Sequence, residues 1–256
     1  MTLRTLRPAK LPWYTCWRTN LFHIPLMAVA TIATGSAALL VSLVEKNGHV
    51  QHRIAQLWAR LMILFGATRL TIEGREKLSK YQVAVYASNH TSYMDTPVIF
   101  SSLPFQFRIL ARKALWPIPF IGWYLNRSGQ LPIDTDNTHA ALASLGAAVK
   151  TLRRGMSLFV FPEGGRTLNG NLKPFLSGAA YLAIRAQVPL VPMALAGVYD
   201  LLPIHTRHLF PTPVKLIVGD AIDTKGMTLR QTEELTDRLK KEIQSLLDRT
   251  AESMPS

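Results

Sequence analysis

Residues 82–95 read Gln82-Val83-Ala84-Val85-Tyr86-Ala87-Ser88-Asn89-His90-Thr91-Ser92-Tyr93-Met94-Asp95. Val83, Val85 and Ala87 share one side of a short extended run, the pattern of a buried strand. A turn therefore presents His90 at a strand's carboxyl end. On a helix of 3.6 residues per turn, positions five apart point about 140° away from each other. His90 and Asp95 can meet only if His90 lies in the loop and Asp95 in the first turn of a following helix. There a carboxylate would hold the imidazole in one tautomer, so that the free nitrogen can take a proton from an alcohol. Asp95 before Thr96-Pro97 is equally suited to cap that helix, and the pair alone does not decide between the two.

The chain has 256 residues and no repeat of fixed period, consistent with one main domain and an appendage. Its 29 Lys and Arg against 16 Asp and Glu give a net charge of +13, spread along the sequence. So basic a chain implies an anionic partner. Nucleic acid is disfavoured, because the cations do not interleave with aromatics in a recognition pattern and no binding motif appears. Cys16 is the single cysteine, so no intramolecular disulfide and no cysteine metal cluster can form. His49 and His52 lack a third metal ligand, and His205 and His208 sit in a proline-flanked loop; no metal site is expected.

Residues 1–20 mix Arg4, Arg7, Lys10 and Arg18 with Trp13, Tyr14 and Trp17, as expected where a chain meets lipid headgroups. Residues 21–44 then carry no acidic or basic side chain, long enough to cross a bilayer core of about 30 Å. His23, Pro25 and the polar run Thr31, Thr34, Gly35, Ser36 weaken a clean span. A dip into one leaflet and a buried core helix remain open, and a cleaved signal peptide is disfavoured because the run exceeds the usual apolar length and no convincing small-residue cleavage site follows it. Residues 50–65 are amphipathic, with Leu57, Trp58, Leu61 and Leu64 against Arg53 and Arg60, a helix at the interface or packed on the first.

From Arg69 onward the pattern alternates between strand and helix. Strands are expected at 69–73, 82–87, 107–111, 157–161, 188–195 and 214–218. Strand 69–73 is expected to pair with 82–87. Helices are expected at 138–154, capped by Asn137, at 174–186, and after the capping box of Thr228 and Gln231. This is an α/β fold: a mixed, mostly parallel sheet flanked by helices, with N-terminal hydrophobic membrane-associated helices over 1–66 and the α/β domain over 67–256. Ligands of such sheets lie at the strands' carboxyl ends.

Phe161-Pro162-Glu163-Gly164-Gly165-Arg166-Thr167 falls at that same end of its strand. Adjacent glycines let backbone amides approach a ligand, and Arg166 can hold a phosphate through two parallel hydrogen bonds. Glu163 could accept a hydroxyl. In isolation the stretch is equally a glycine-rich surface turn.

The combination of Asn89-His90 and Asp95 with Phe161-Pro162-Glu163-Gly164 and Arg166 resembles the signature of the glycerophospholipid acyltransferase family, of the 1-acyl-sn-glycerol-3-phosphate acyltransferase type. Lys113 to Ile133 and Val188-Pro189-Leu190-Val191-Pro192 are similar to two further family blocks, and the likeness covers about residues 69–220. Gly165 and Thr167 stand where the family usually has Thr and Ser, and Thr135 where it often has Arg. The resemblance implies an O-acyltransferase of phospholipid biosynthesis. His90 and Asp95 would be catalytic. Glu163, Gly164, Gly165 and Arg166 would bind substrate, with Lys113 or Arg127 supplying the charge lost at Thr135. The donor would be acyl-CoA or acyl carrier protein, the acceptor a lysophospholipid, and no cofactor is expected. The bilayer would be a partner, with the α/β domain on the cytoplasmic side of a cell inner membrane or its equivalent. Another lyso-acceptor, such as a lyso-aminolipid or glycerol 3-phosphate, and a non-catalytic membrane-binding module are the alternatives. Gly-x-Ser-x-Gly is absent, which argues against Ser92 as a hydrolase nucleophile.

Overall fold

Pro25 has no amide hydrogen to offer the preceding turn, and the first helix opens with a widened π turn over Thr19–His23 before taking α geometry. In the computed structural model, which describes residues 17–45, 47–134, 138–204, 206 and 208–253, this helix is α1 (Thr19–Val41). It passes unbroken through its polar centre, because the hydroxyls of Thr31 and Thr34 donate to the carbonyls of Met27 (2.7 Å) and Ala30 (2.6 Å). A second helix, α2 (His49–Phe65), returns antiparallel beside it. His23 Nδ1 meets the Phe65 carbonyl, and Trp58 Nε1 donates to Thr31 Oγ1 (3.0 Å). Several buried positions on both helices are small, Ala30, Thr34 and Ala38 on α1 and Ala55 and Ala59 on α2, so the backbones can approach closely there.

The elements that follow are β1 (Leu70–Glu73), β2 (Val85–Ser88), α3 (Asp95–Ser102), β3 (Phe107–Arg112), α4 (Ile121–Arg127) and β4 (Leu131–Ile133). Then come α5 (Thr138–Arg153), β5 (Ser157–Val160), α6 (Gly178–Ala186), β6 (Leu190–Ala196), α7 (Val198–Leu201), β7 (Val214–Val218) and α8 (Thr232–Ser253). Among the described residues the strands form one seven-stranded sheet in the order β1-β7-β6-β2-β5-β3-β4. Strands β2 to β6 run parallel, β7 runs antiparallel to β6, and β1 is parallel to β7. The expected mixed, mostly parallel α/β sheet is therefore present, with helices on both faces. One core joins the sheet to α2 and α3 and reaches Ala30 of α1, so the helices before residue 67 are built into it. The opposite core packs α5, α6 and α8 on the other face.

Two expectations about this sheet need correction. β1 does not pair with β2; it lies at the edge against β7, and β2 is flanked by β5 and β6. The alternation of Leu70 and Ile72 with exposed Thr71 and Glu73 suits an edge, whereas all four residues of β2 are buried and need a neighbour on each side. The helix expected from residue 174 begins only at Gly178, because the residues before it bond back to the glycine-rich turn, Leu176 N–H to Pro162 O among them (2.8 Å). The basic and aromatic residues before Trp17, the Asn137 cap, Thr135 and His205 lie outside the described residues. The capping box of Thr228 and Gln231 is formed.

At the end of β2 the side chain of Asn89 continues the ladder. Its Nδ2 donates to Leu195 O (2.9 Å) and its Oδ1 accepts from Leu195 N–H (2.8 Å), with both residues buried. Asn89→Ala leaves two buried backbone groups unpaired, at about 1–3 kcal/mol each. We expect a loss of about 2–6 kcal/mol in urea unfolding.

Candidate active site

His90 and Asp95 meet as the spacing requires. His90 leaves the end of β2, Asp95 is the first residue of α3, and His90 Nδ1 lies 2.8 Å from Asp95 Oδ2. Asp95 has no exposed surface. The same Oδ2 accepts the amides of Thr91 (2.6 Å) and Ser92 (2.8 Å), while Thr91 Oγ1 donates to Oδ1 (3.3 Å). Asp95 is thus no helix cap; it folds the preceding turn around itself. Nor does Ser92 act as a nucleophile in waiting, since its hydroxyl donates to Leu202 O (2.6 Å). The imidazole stacks on Phe161, ring centroids 3.9 Å apart and planes within 14°. One contact fixes the tautomer and the other the ring plane, leaving Nε2 with no protein partner among the described residues.

Phe161 belongs to the turn after β5, next to β2 in the sheet, and the two turns are tied by more than this stack. Glu163 is 4% exposed, and its carboxylate accepts His90 N–H at Oε1 (2.8 Å) and Lys173 N–H at Oε2 (2.9 Å). Thr167 N–H donates to His90 O (2.9 Å). Arg166 lies over the ring of Tyr93, its guanidinium carbon 3.7 Å from the centroid, so the two turns also meet at their outer ends. Stacking leaves the edge of the guanidinium, where its N–H donors point, available to an anion.

Several expected substrate contacts come out differently. Glu163, a candidate to accept an acceptor hydroxyl, has two backbone amides as its observed partners, which makes it a brace between the turns. Burial raises its pKa from 4.5 to about 7, against the two amides that favour its charge, and the nearby Asp95 carboxylate adds to the rise. Gly164, at φ +67°, already donates its amide to Phe161 O (3.1 Å). The Gly165 amide meets no acceptor among the described residues and is the better donor to an oxyanion. Lys113 is at the correct edge, just past β3, but two strand spacings or about 10 Å from β2, and its ammonium pairs with Asp134 Oδ2 (3.2 Å). Arg127 is not in the site. β4 runs parallel to β3, so the chain just before β4 has returned to the amino-terminal edge, where Gly129 backs onto Arg108 near the start of β3.

Phe161, Tyr93, Thr167 and Lys173 shape the site without having been singled out for it. Phe161 and Tyr93 stood inside the two motifs as apolar residues, but nothing in their spacing says that one stacks on the imidazole and the other on Arg166. Lys173 acts through its backbone, which no side-chain pattern reveals.

A buried carboxylate bonded to an imidazole at the carboxyl edge of an α/β sheet, tied to a glycine-rich turn with an arginine, is an arrangement able to take up a proton and to hold an anion. The chain belongs to the acyltransferase family: the family model described as Acyltransferase matches residues 69–196, half of the chain. It is 35% identical over 153 residues to the chloroplastic 1-acyl-sn-glycerol-3-phosphate acyltransferase of Arabidopsis thaliana, covering 59% of this chain and 42% of that protein. To the human 1-acyl-sn-glycerol-3-phosphate acyltransferase beta it is 26% identical over 219 residues, 84% of this chain and 78% of that one. The crystal structure of the 1-acyl-sn-glycerophosphate acyltransferase PlsC from Thermotoga maritima shares the fold, with a TM-score of 0.79, 22% identity, and coverage of 94% of this chain and 99% of that one. The chain spans between 42% and 61% of the length of four curated relatives that it matches.

If Glu163 braces the turns, Glu163→Gln should lower kcat at least about tenfold and leave the acceptor KM within about threefold; loss of a headgroup contact would instead raise KM. Its raised folded pKa also has a consequence for stability. The unfolded carboxyl loses its proton near pH 4.5 and the folded one near 7, so stability present below pH 4.5 is lost as pH rises to about 7. At 1.36 kcal/mol per pH unit this is about 2–4 kcal/mol, and Glu163→Gln should flatten that slope in urea titrations at pH 4.5–7.

Proposed function

We propose that the chain moves a fatty acyl group from a thioester donor, acyl-CoA or acyl carrier protein, to the free hydroxyl of a lysophospholipid. The acceptor we favour is 1-acyl-sn-glycerol 3-phosphate, which would become phosphatidic acid. His90 Nε2 takes the hydroxyl proton as the oxygen attacks the thioester carbonyl, and Asp95 stabilises the imidazolium that forms. The C–S bond then breaks, and the departing thiolate receives that proton from His90. Gly165 N–H steadies the tetrahedral oxyanion, and Arg166 holds the acceptor phosphate. The observation that carries this reading is the bond of Asp95 to His90 Nδ1, which with the Phe161 stack leaves Nε2 free of protein partners among the described residues, together with a guanidinium held on Tyr93 in the adjoining turn. Supporting it, the relatives named above carry the same activity in their names.

The bilayer placement follows from the helix hairpin. At 1.5 Å per residue α1 is about 34 Å long, enough to span, and 17% of its most apolar window is buried. But α2 lies antiparallel along it, carries exposed Arg53 and Arg60, and is bonded to the α/β domain through Gln56 Nε2 to Leu103 O (2.8 Å). A perpendicular α1 would drag those arginines into hydrocarbon. We therefore place α1 in one leaflet, with the domain on the aqueous side. The inner membrane and its cytoplasmic face are our proposed location.

General-base assistance is worth about 10²–10⁴-fold. His90→Ala should lower acyl transfer at least about 10²-fold, measured with a panel of lyso-acceptors and labelled acyl-CoA or acyl carrier protein, with the thermal midpoint kept within a few degrees. Unchanged turnover in a folded variant would favour a non-catalytic membrane module.

A further inference from the structure

The segment between β3 and α4, together with α4, displays five large apolar side chains to solvent: Leu115, Ile118, Phe120, Ile121 and Trp123. Phe120 is 56% exposed and Trp123 55%. This is no loose loop. Ile121 N–H bonds to Pro119 O (2.7 Å) around Phe120 at φ 62° and ψ −53°, a γ-turn of the rare, strained positive-φ kind that persists only where the surrounding structure imposes it. Gly122 lies so close to the Trp116 carbonyl that any side chain there would collide with it. The result is a rigid tip with the Phe120 and Trp123 rings in contact, centroids 5.3 Å apart.

Its surroundings say what it meets. α4 packs beside α1, on the same face of the sheet, so the tip extends α1's uncharged apolar surface. Residues 113–127 contain no Asp or Glu, and exposed Arg112 and Lys113 border the tip. Apolar aromatic side chains bordered by cations suit the boundary between acyl chains and anionic headgroups. An exposed apolar patch of this size on a soluble surface would otherwise be a liability.

We infer that the 115–123 tip is a second membrane-insertion element, entering the same leaflet as α1. The inference rests on the one-leaflet placement of α1 proposed above. The tip leaves the carboxyl end of β3, the edge that holds His90. Two anchors on one face would hold that edge against the lipid surface, so that an acceptor reaches Nε2 without leaving its leaflet.

The test uses the full chain with Cys16→Ser as background and an environment-sensitive fluorophore on one introduced cysteine. The labelled sites are Ile118→Cys or Trp123→Cys for the tip, Ile32→Cys for α1 and Lys241→Cys on exposed α8 as control. Vesicles of phosphatidylcholine with one-third phosphatidylglycerol are added. Blue-shifted emission at the tip and at residue 32, but not at 241, is the expected result. A shift at 32 without one at either tip site overturns this inference and leaves the placement of α1 standing. No shift at 32 or at the tip overturns both. A tip shift that needs no vesicles and follows protein concentration assigns the patch to a second copy of the chain, and the inference fails. The two tip sites guard against a label that disturbs the γ-turn, since Ile118 lies outside it.

Discussion

A single carboxylate oxygen organises the working end of this protein. Asp95 Oδ2, shut away from water, gathers the imidazole N–H of His90 and the amides of Thr91 and Ser92. A buried charge is tolerated only where donors compensate it, and here they do so by wrapping the backbone into the turn that carries His90. The carboxylate that polarises the imidazole also builds the loop on which the imidazole sits. The imidazole and the loop that carries it are therefore inseparable, and a neutral ring that donates to Oδ2 keeps its proton on Nδ1.

A second buried carboxylate joins this turn to its neighbour. Glu163 is placed between two strands' carboxyl ends with amides on both oxygens, and its pKa near 7 reflects a balance between burial, which opposes its charge, and those amides, which favour it. The fold makes the meeting possible because β2 and β5 are adjacent and parallel although some seventy residues separate them in sequence. The turns are then bound by a stack at His90, a brace at Glu163 and a cation–aromatic contact at Arg166, three different interactions along one seam.

Much of this was legible in the residues, for identifiable reasons. The five-residue spacing of His90 and Asp95 has one geometry that brings them together. Buried strands announce themselves as apolar runs such as Val85-Tyr86-Ala87. What stayed hidden was pairing and backbone work. Nothing in Leu70-Thr71-Ile72-Glu73 says that its partner is β7, more than 130 residues away, instead of the next strand. The bracing role of Glu163 was hidden because side-chain chemistry is visible in a sequence and an amide from Lys173 is not. Arg127 looked available because charge is visible and the edge of the sheet it returns to is not. The small buried residues of α1 and α2 were visible only as parts of an uncharged run and an amphipathic run, although they let the two helices approach closely.

The tautomer of His90 can be measured directly. With histidine 15N-labelled, the two ring nitrogens report by NMR which of them holds the proton. At a pH where the ring is neutral, the His90 signals should show a protonated Nδ1 and a bare Nε2, and Asp95→Asn should disturb that assignment. A His90 protonated at Nε2 in the folded wild-type protein would contradict the account, because no lone pair would then face the acceptor hydroxyl.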